Sequence, residues 1–208
     1  MTARVGMGFD VHPFSDDAER VMVLGGVRFP GRGLQGHSDA DVIAHACTDA
    51  ILGAAGLGDI GSHFPDTDPR FAGADSIELL RAVGEEVRAA GWRVGNVDCS
   101  VVCEEPKVGP RRDEVQARLS EAAGGPVTVK GKRPEGLGAL GRGEGVACWA
   151  DEPATRWQGE GQGQGAARGE GQAHAAAHET VVHARAGPRS AGPGPQRAGR
   201  TRPRRSRG

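Results

Sequence analysis

The stretch HSDADVIAHACTD, residues 37–49, combines histidines and acidic residues with an apolar helical pattern. Ser38 followed three residues later by Asp41 is an N-cap pattern, and it predicts a helix that begins there and runs to about Gly56. Asp41, His45 and Asp49 recur at every fourth position and share one face of this helix, whereas the remainder is mostly apolar. One face is therefore expected to pack into a core and the other to carry chemistry.

A predicted first strand begins near Ala3 and leads into Asp10, Val11 and His12. Residues i and i+2 of a strand point to the same side, so Asp10 and His12 can converge on one ion. A pattern this short also suits an ordinary turn at the end of a strand. His45 offers a third ligand, and two histidines with one carboxylate match a catalytic zinc site or a non-haem Fe(II) site.

The remaining patterns up to residue 150 predict a single α/β domain with a mixed sheet covered by helices. Apolar periodicity and turn residues delimit a hairpin at 21–29, a helix at 77–90, a strand at 92–103, a helix at 111–123, and strands at 127–130 and 146–149.

Two loops are candidate ligand sites. The segment 57–69 is rich in Gly, Pro and Asp and is too long for a simple turn, although its aspartates could merely cap backbone amides, and His63 is expected at the surface. The glycine-rich segment 136–145 could bring backbone N–H groups to a phosphate. It lacks the strand–loop–helix order of a dinucleotide site.

The composition changes abruptly near Ala150. Residues 151–208 contain no Leu, Ile, Phe, Met or Lys, but have 11 Gly and 10 Arg. Such a segment cannot bury enough apolar surface to offset its ordering entropy, so we expect a domain at 1–150 and a disordered low-complexity tail at 151–208. Asp151, Glu152 and Pro153 are expected to interrupt the last strand. The Arg, Gly, Ala and Pro bias also suggests that the tail is a frameshift product.

Charge and cysteine usage limit the possible partners. The first 150 residues carry 16 basic and 22 acidic residues, a net charge of −6, so a nucleic-acid surface is not expected there. The four cysteines form no CxxC pair and are expected to be buried free thiols. Neither a leader segment nor a long apolar span is recognisable, and we expect a cytoplasmic protein without membrane contact.

The first 150 residues resemble the 2-C-methyl-D-erythritol 2,4-cyclodiphosphate synthase family. The resemblance rests on motifs in the family's order: GFDVHPF at 8–14, HSDADVIAH at 37–45, TDAILGAAGLGDIG at 48–61, FPDTDP at 64–69, GNVD at 95–98, Pro106-Lys107 and GRGEG at 141–145.

This resemblance implies a homotrimer around a central β core, with active sites between neighbouring subunits. The implied substrate is the cytidine diphosphate compound 4-diphosphocytidyl-2-C-methyl-D-erythritol 2-phosphate. Its 2-phosphate attacks the β-phosphorus, which closes 2-C-methyl-D-erythritol 2,4-cyclodiphosphate and releases CMP, a phosphorus–oxygen lyase step of non-mevalonate isoprenoid biosynthesis.

The resemblance also implies roles for individual residues. Zn2+, or another divalent transition metal, is expected at Asp10, His12 and His45, and Mg2+ or Mn2+, bridging the substrate diphosphate, at Glu135. His37 and Arg133 are the expected catalytic residues. The implied substrate-binding positions are Asp10, Val11 and His12; His37 and Ser38; Asp59, Ile60, Gly61, Phe64, Pro65, Asp66, Thr67 and Asp68 around the methylerythritol; Cys103, Glu104, Glu105, Pro106, Lys107, Val108 and Gly109 around the cytidine; and Lys132, Arg133, Pro134, Glu135, Ala139 and Arg142.

Two positions depart from the family pattern. Arg133 stands where many members have a threonine that orients the reacting diphosphate, and its guanidinium could neutralise phosphate charge instead. Ala139 stands where a large side chain often lines the pocket.

The same ligand set leaves other functions open. A zinc phosphoesterase or an Fe(II) oxygenase could use it, and so could a catalytically impaired, metal-stabilised trimeric scaffold. A fused cytidylyltransferase is not expected.

Overall fold

The computed structural model describes residues 3–156. Its elements follow in the order β1 (Ala3–Pro13), β2 (Met22–Leu24), β3 (Val27–Phe29), α1 (Val42–Ala55), α2 (Ile60–His63), α3 (Ser76–Ala89), β4 (Trp92–Val94), β5 (Val97–Val102), α4 (Arg112–Ala123), β6 (Val127–Lys132), α5 (Gly138–Gly141) and β7 (Gly145–Arg156).

Five strands form one mixed sheet, which confirms the predicted α/β class. Strands β1, β7, β5 and β6 are neighbours in that order, and β4 pairs with β7 beside β5. Only the β5–β6 pair is parallel among the pairs in this sheet. Strands β2 and β3 form the predicted hairpin as a separate two-stranded sheet.

Helix α1 lies directly against β1 because two glycines leave room for it. A Cβ atom at Gly6 would stand 1.9 Å from the carbonyl oxygen of Ala50, and one at Gly8 would stand 2.0 Å from that of Ala46. Both distances are far below any non-bonded contact, so only glycine permits this approach. The predicted apolar side of α1 is buried. The close approach brings the start of α1 to the end of β1.

The opposite face of β1 is apolar and exposed in the single chain. Val5, Met7, Phe9 and Val11 alternate along the strand with 74%, 68%, 45% and 49% of their surface accessible. Trp149 of β7 lies next to them, its ring 4.8 Å from that of Phe9. Contiguous apolar surface of this kind marks an interaction site in most proteins.

The start of α1 differs from the prediction. The N-cap is Asp41, not Ser38, and the Asp41 carboxylate accepts hydrogen bonds from the backbone N–H groups of Ile43 and Ala44. It also accepts from Gly25 and Gly26 in the β2–β3 turn. A carboxylate that satisfies four N–H groups at a buried position is the stronger cap, which leaves the Ser38 hydroxyl for other contacts.

Two strand predictions were also wrong in extent. The predicted strand 92–103 is divided at Gly95–Asn96 into β4 and β5. The last strand is not interrupted at Asp151–Pro153, because β7 continues to Arg156. Its pairing with β1 extends to Ala3 opposite Thr155, and Pro153 is tolerated opposite Val5 within this ladder. The expected boundary at residue 150 therefore falls inside a strand.

The predicted disordered tail or frameshift product from residue 157 onward lies outside the described residues. Within residues 3–156, every helix is too short or too polar to cross a bilayer. The four cysteines are buried free thiols, as predicted.

Candidate metal centre and substrate site

Three side chains predicted to bind a metal meet where β1 ends and α1 begins. Asp10 and His12 project from the same side of β1, and His45 stands in the first turn of α1. The Asp10 Oδ2 atom lies 3.0 Å from His12 Nε2 and 2.9 Å from His45 Nδ1. The two ring nitrogens are 3.2 Å apart. Among residues 3–156, this is the one group of three or more potential ligands that converge on a point.

Hydrogen bonds behind the two rings favour a tautomer that suits a cation. His12 Nδ1 lies 2.8 Å from the carbonyl oxygen of Gln35, so we infer that it carries the proton and donates. His45 Nε2 lies 2.9 Å from the hydroxyl of Ser76 and donates in the same way. The neutral rings then present lone pairs at His12 Nε2 and His45 Nδ1, next to a carboxylate oxygen. Three converging lone pairs need a cation between them.

The titration behaviour of the cluster agrees with a site of this kind. Burial alone would raise the pKa of Asp10, but when protons rather than a metal ion lie between these atoms, hydrogen bonds from His12 and His45 and their charges lower that pKa well below its usual range. Burial opposes protonation of His12, yet the hydrogen bond and charge of Asp10 raise the pKa of His12. Asp10 is therefore held as an anion that attracts a positive group.

The donor set fits a transition metal. Tetrahedral zinc with Zn–N distances of about 2.0–2.1 Å places its donor atoms roughly 3.3 Å apart, which is a small expansion from the present cluster. Three protein ligands leave at least one coordination position for a substrate oxygen. The same set accommodates Fe(II), so the geometry identifies a candidate metal-binding triad and leaves the identity of the metal open.

His37 and Ser38 lie on the segment that precedes α1. His37 Nε2 is 2.9 Å from the backbone carbonyl of Asp68, which joins it to the predicted methylerythritol loop. Ser38 is almost fully buried, and its hydroxyl lies 3.1 Å from His45 Nε2. Ser38 thus stands next to a metal ligand, whereas the His37 ring contacts the loop.

Local capping hydrogen bonds shape the loop from Asp59 to Asp68. They agree with the alternative that aspartates of this loop cap backbone amides. Asp59 and Ser62 form a reciprocal capping box at the start of α2. Asp68 caps the 3-10 turn Pro69–Phe71. The ring of Phe64 packs edge-on to that of Phe71, with centroids 5.2 Å apart. Fixed backbone in this loop leaves other side chains, such as the exposed Asp66, available to a ligand.

His63 contradicts its predicted surface position. Its side chain is 11% exposed, and its Nδ1 lies 3.3 Å from the Glu86 carboxylate of α3. Its Nε2 lies 2.9 Å from the carbonyl of Leu57. His63 therefore anchors the predicted methylerythritol loop to the helical layer.

A cavity of about 150 Å³ is lined by most of the predicted cytidine-binding segment and by the end of β6. Its lining consists of Cys103, Glu104, Pro106, Lys107, Val108, Gly109, Gly131, Lys132 and Arg133. The Asp10–His12–His45 triad is not part of this lining. The predicted cytidine positions are thus brought together, apart from Glu105, which does not line the cavity.

Glu104 holds the two sides of this cavity together. Its carboxylate accepts from Arg133 at 3.0 Å and from the backbone N–H of Gly136 at 2.8 Å. Hydrogen bonding to Gly136, and then the pairing with Arg133, lower the pKa of Glu104. The exposed Glu135 lies between the two contacts in sequence and adopts a φ of 53°, the left-handed region. It belongs to no cluster of three potential metal ligands within the described chain.

The remaining predicted positions lie around α5. Ala139 is exposed in that helix, and Arg142, just after it, donates to Glu144 at 2.6 Å. Ile60, Gly61 and Pro65 lie within or next to α2, Thr67 is exposed, and Pro134 follows β6. Val11 belongs to the exposed apolar face of β1.

Three residues that support the triad were missed from sequence. Gln35, Asp39 and Ser76 contribute a backbone carbonyl, a carboxylate and a hydroxyl behind the ligands. The sequence pattern predicts only a helix at 77–90, directly after Ser76. No local sequence signal distinguishes such a helix start from one that also contacts a ligand.

The chain matches known proteins over the same residues. The YgbB family model matches residues 3–151. The 2-C-methyl-D-erythritol 2,4-cyclodiphosphate synthase of Rubrobacter xylanophilus is 56% identical over 152 residues, which cover 71% of this chain and 92% of that protein. The bifunctional enzyme IspD/IspF of Anaeromyxobacter sp. is 56% identical over 149 residues, which cover 70% of this chain and only 38% of that protein.

A solved structure supports the same relationship. The IspF protein of Plasmodium falciparum in complex with CDP superposes with a TM-score of 0.65 at 31% identity, covering 75% of this chain and 97% of that one. The chain spans little more than a third of the bifunctional relative but nearly all of the single-activity synthase. It therefore belongs to the YgbB family, together with the 2-C-methyl-D-erythritol 2,4-cyclodiphosphate synthases that it matches along almost their whole length.

Proposed function

We propose that this chain is a 2-C-methyl-D-erythritol 2,4-cyclodiphosphate synthase of the non-mevalonate isoprenoid pathway. It would convert 4-diphosphocytidyl-2-C-methyl-D-erythritol 2-phosphate to the cyclic diphosphate and CMP, which makes it a phosphorus–oxygen lyase. The observation that carries this proposal is the convergence of Asp10, His12 and His45 in a chain that is 56% identical to such a synthase.

The barrier of this reaction depends mainly on how well the charge of the reacting groups is neutralised. An oxygen of the 2-phosphate forms a bond to the β-phosphorus, and the bond from that phosphorus to the bridging oxygen breaks, so CMP leaves with the electron pair. Attacking and attacked groups are both anions, so positioning and screening of their charge dominate the barrier. No electron is transferred to or from the protein.

Asp10, His12 and His45 would hold zinc, which when bound polarises the phosphoryl oxygens as a Lewis acid. Ser38, next to His45, and His37, at the methylerythritol loop, would donate hydrogen bonds to the phosphate oxygens. Glu135 would hold Mg2+ or Mn2+ against the diphosphate.

The segment Cys103–Gly109 would bind the cytidine, in the cavity that also contains Lys132 and Arg133. Arg133 is exposed and charged at this cavity, where its planar guanidinium can contact two phosphate oxygens at once. Its present partner Glu104 would orient it. We therefore assign Arg133 a charge-neutralising role at the position where many family members have a threonine.

A homotrimer would complete the site. The triad and the cytidine cavity have no lining residue in common within one chain, and the exposed apolar face of β1 offers a surface for self-association. Assembly through this face would bury Met7 and Phe9 and place the two half-sites of neighbouring subunits together. The trimer is therefore part of the proposed mechanism.

Product analysis tests the proposed function. The purified chain is incubated with the cytidine substrate, Zn2+ and Mg2+. The products are identified by mass spectrometry and quantified by phosphorus NMR. We expect CMP and the cyclic diphosphate in equal amounts. Release of inorganic phosphate would replace this proposal with a zinc phosphoesterase, and no turnover with metal-loaded protein would leave a trimeric scaffold.

A further inference from the structure

We propose that Ser76 and Asp39 are positioning residues of the metal centre, and that they leave the hydroxyl of Ser38 free to donate to a bound phosphate. The proposal rests on the metal site of the proposed function. It assigns different roles to two serines that lie side by side behind the same histidine.

A continuous chain of hydrogen bonds lies behind His45. His45 Nε2 lies 2.9 Å from Ser76 Oγ, and Ser76 Oγ donates to Asp39 Oδ1 at 2.5 Å. Because Ser76 donates its hydroxyl proton to the Asp39 carboxylate, the lone pairs of the Ser76 oxygen face His45. The Nε2 atom must therefore carry the proton, and the lone pair of His45 is fixed on Nδ1, where the metal ligands meet.

Ser38 competes for the same ring nitrogen but is placed less favourably. Its oxygen is 3.1 Å from His45 Nε2 and 3.3 Å from Ser76 Oγ. It already accepts from the backbone N–H of Ala40 at 3.1 Å. With Ser76 as the acceptor for His45, Ser38 does not need to hold the imidazole. Its hydroxyl proton can then turn toward an oxygen of a ligand.

The fold makes this arrangement rigid. Ser76 is the first residue of α3 and is only 1% exposed. Asp39 also accepts from the backbone N–H groups of Asp41, the cap of α1, and of Ser76 itself. One carboxylate therefore connects the starts of two helices and, through a hydroxyl, the metal-binding imidazole. Changes in this connection should alter the orientation of the imidazole before they alter the fold.

The expected effect is on metal affinity. Hydrogen-bond partners behind a metal-binding histidine typically account for about 10–100-fold in affinity or activity. Ser76→Ala should weaken Zn2+ binding by that factor, and Asp39→Asn should weaken it less because the Ser76 oxygen remains. Ser76→Thr keeps the hydroxyl and should restore most of the affinity. Ser38→Ala should change zinc affinity by less than about threefold.

The test measures zinc affinity by competition with a chromophoric chelator, using metal-free full-length protein. Nitrogen NMR of labelled histidine reports which ring atom of His45 carries the proton, and thermal unfolding confirms that each variant is folded. We expect Ser76→Ala to lower affinity and to mix the tautomers of His45. Ser38→Ala should instead raise KM or lower kcat with zinc binding retained.

Two results would overturn the proposal. One is a folded Ser76→Ala variant with the zinc affinity and His45 tautomer of the parent protein. The other is a Ser38→Ala variant that loses as much zinc affinity as Ser76→Ala. Both readouts are independent of turnover. A parent protein without cyclising activity but with this pattern of zinc affinities would contradict the proposed function and retain the present inference.

Discussion

Asp10 Oδ2 lies 2.9 Å from His45 Nδ1, although the two residues are 35 positions apart in the chain. This contact joins the end of β1 to the first turn of α1. It also defines the point at which a metal ion can be held.

His45→Ala should abolish metal binding while the fold is retained. Two ligands on one strand hold zinc much more weakly than three, so turnover should fall on the order of a hundredfold or more. Zinc content after desalting and the rate of CMP release measure the effect. For the zinc content, His63→Gln is a matched control, because His63 is equally enclosed but contacts Leu57 and Glu86. Normal zinc content in the His45 variant would refute the ligand assignment.

Arg133→Ala should lower kcat by about 10–100-fold with a smaller change in KM, because a charge that stabilises the reacting phosphates is lost. Arg133→Lys should recover part of the rate, since it keeps the charge but loses the planar pair of donors. Steady-state kinetics of CMP release measure both variants. Arg112→Ala, an exposed arginine at the start of α4, is the control. An unchanged kcat in Arg133→Ala would assign this arginine to loop structure alone.

Met7→Asp should dissociate the proposed trimer. A charge in the centre of an apolar interface typically costs more than about 2 kcal/mol, which raises the dissociation constant more than tenfold. Light scattering after size-exclusion chromatography measures the mass in solution. Val21→Asp is the control, because Val21 is 46% exposed but lies outside the β1 face. Retention of the trimer in Met7→Asp would place the subunit interface elsewhere.

Burial of Glu152 should make the folded protein less stable as the pH rises. Burial raises its pKa to about 7, against the weaker opposing effect of its hydrogen bond from Gly95. The Oε2 atom of Glu152 is buried without a hydrogen-bond partner. The folded state therefore holds a proton that the unfolded chain releases near pH 4.5, and stability falls as pH rises from there through about 7.

The full effect above pH 7 is roughly 3 kcal/mol, at about 1.4 kcal/mol per pKa unit. Glu152→Gln cannot ionise, so its melting temperature should exceed that of the parent by about 5 °C or more at pH 8 and much less at pH 5. Thermal unfolding at both pH values measures this. Glu85→Gln, at an exposed position of α3, is the matched control. Equal shifts at the two pH values would contradict the assignment.

The metal triad could be predicted from sequence because its geometry is local to two elements. Asp10 and His12 follow the two-residue period of a strand, and His45 follows the period of a helix. The two elements were combined on the chemistry of their potential ligands, and the family resemblance implies the same site. Periodicity alone does not indicate which strand faces which helix.

The features that were missed depend on contacts between distant segments. Asp41 replaces Ser38 as the helix cap because Gly25 and Gly26, far away in sequence, also donate to it. Strand β7 continues through Glu152 because β1 provides a pairing partner along its whole length, despite a buried carboxyl group and a proline. Ser76 resembles an ordinary helix start until its contact with His45 is known.

The close contact of α1 with β1 sets the spacing of the metal ligands. Gly6 and Gly8 contribute no side chain, and the backbone carbonyls of Ala50 and Ala46 occupy the space where their Cβ atoms would stand. An alanine at either glycine would push the helix outward and carry His45 away from Asp10. The geometry of the metal site therefore depends on two glycines that supply no ligand, and a single added methyl group at either one is expected to disrupt it.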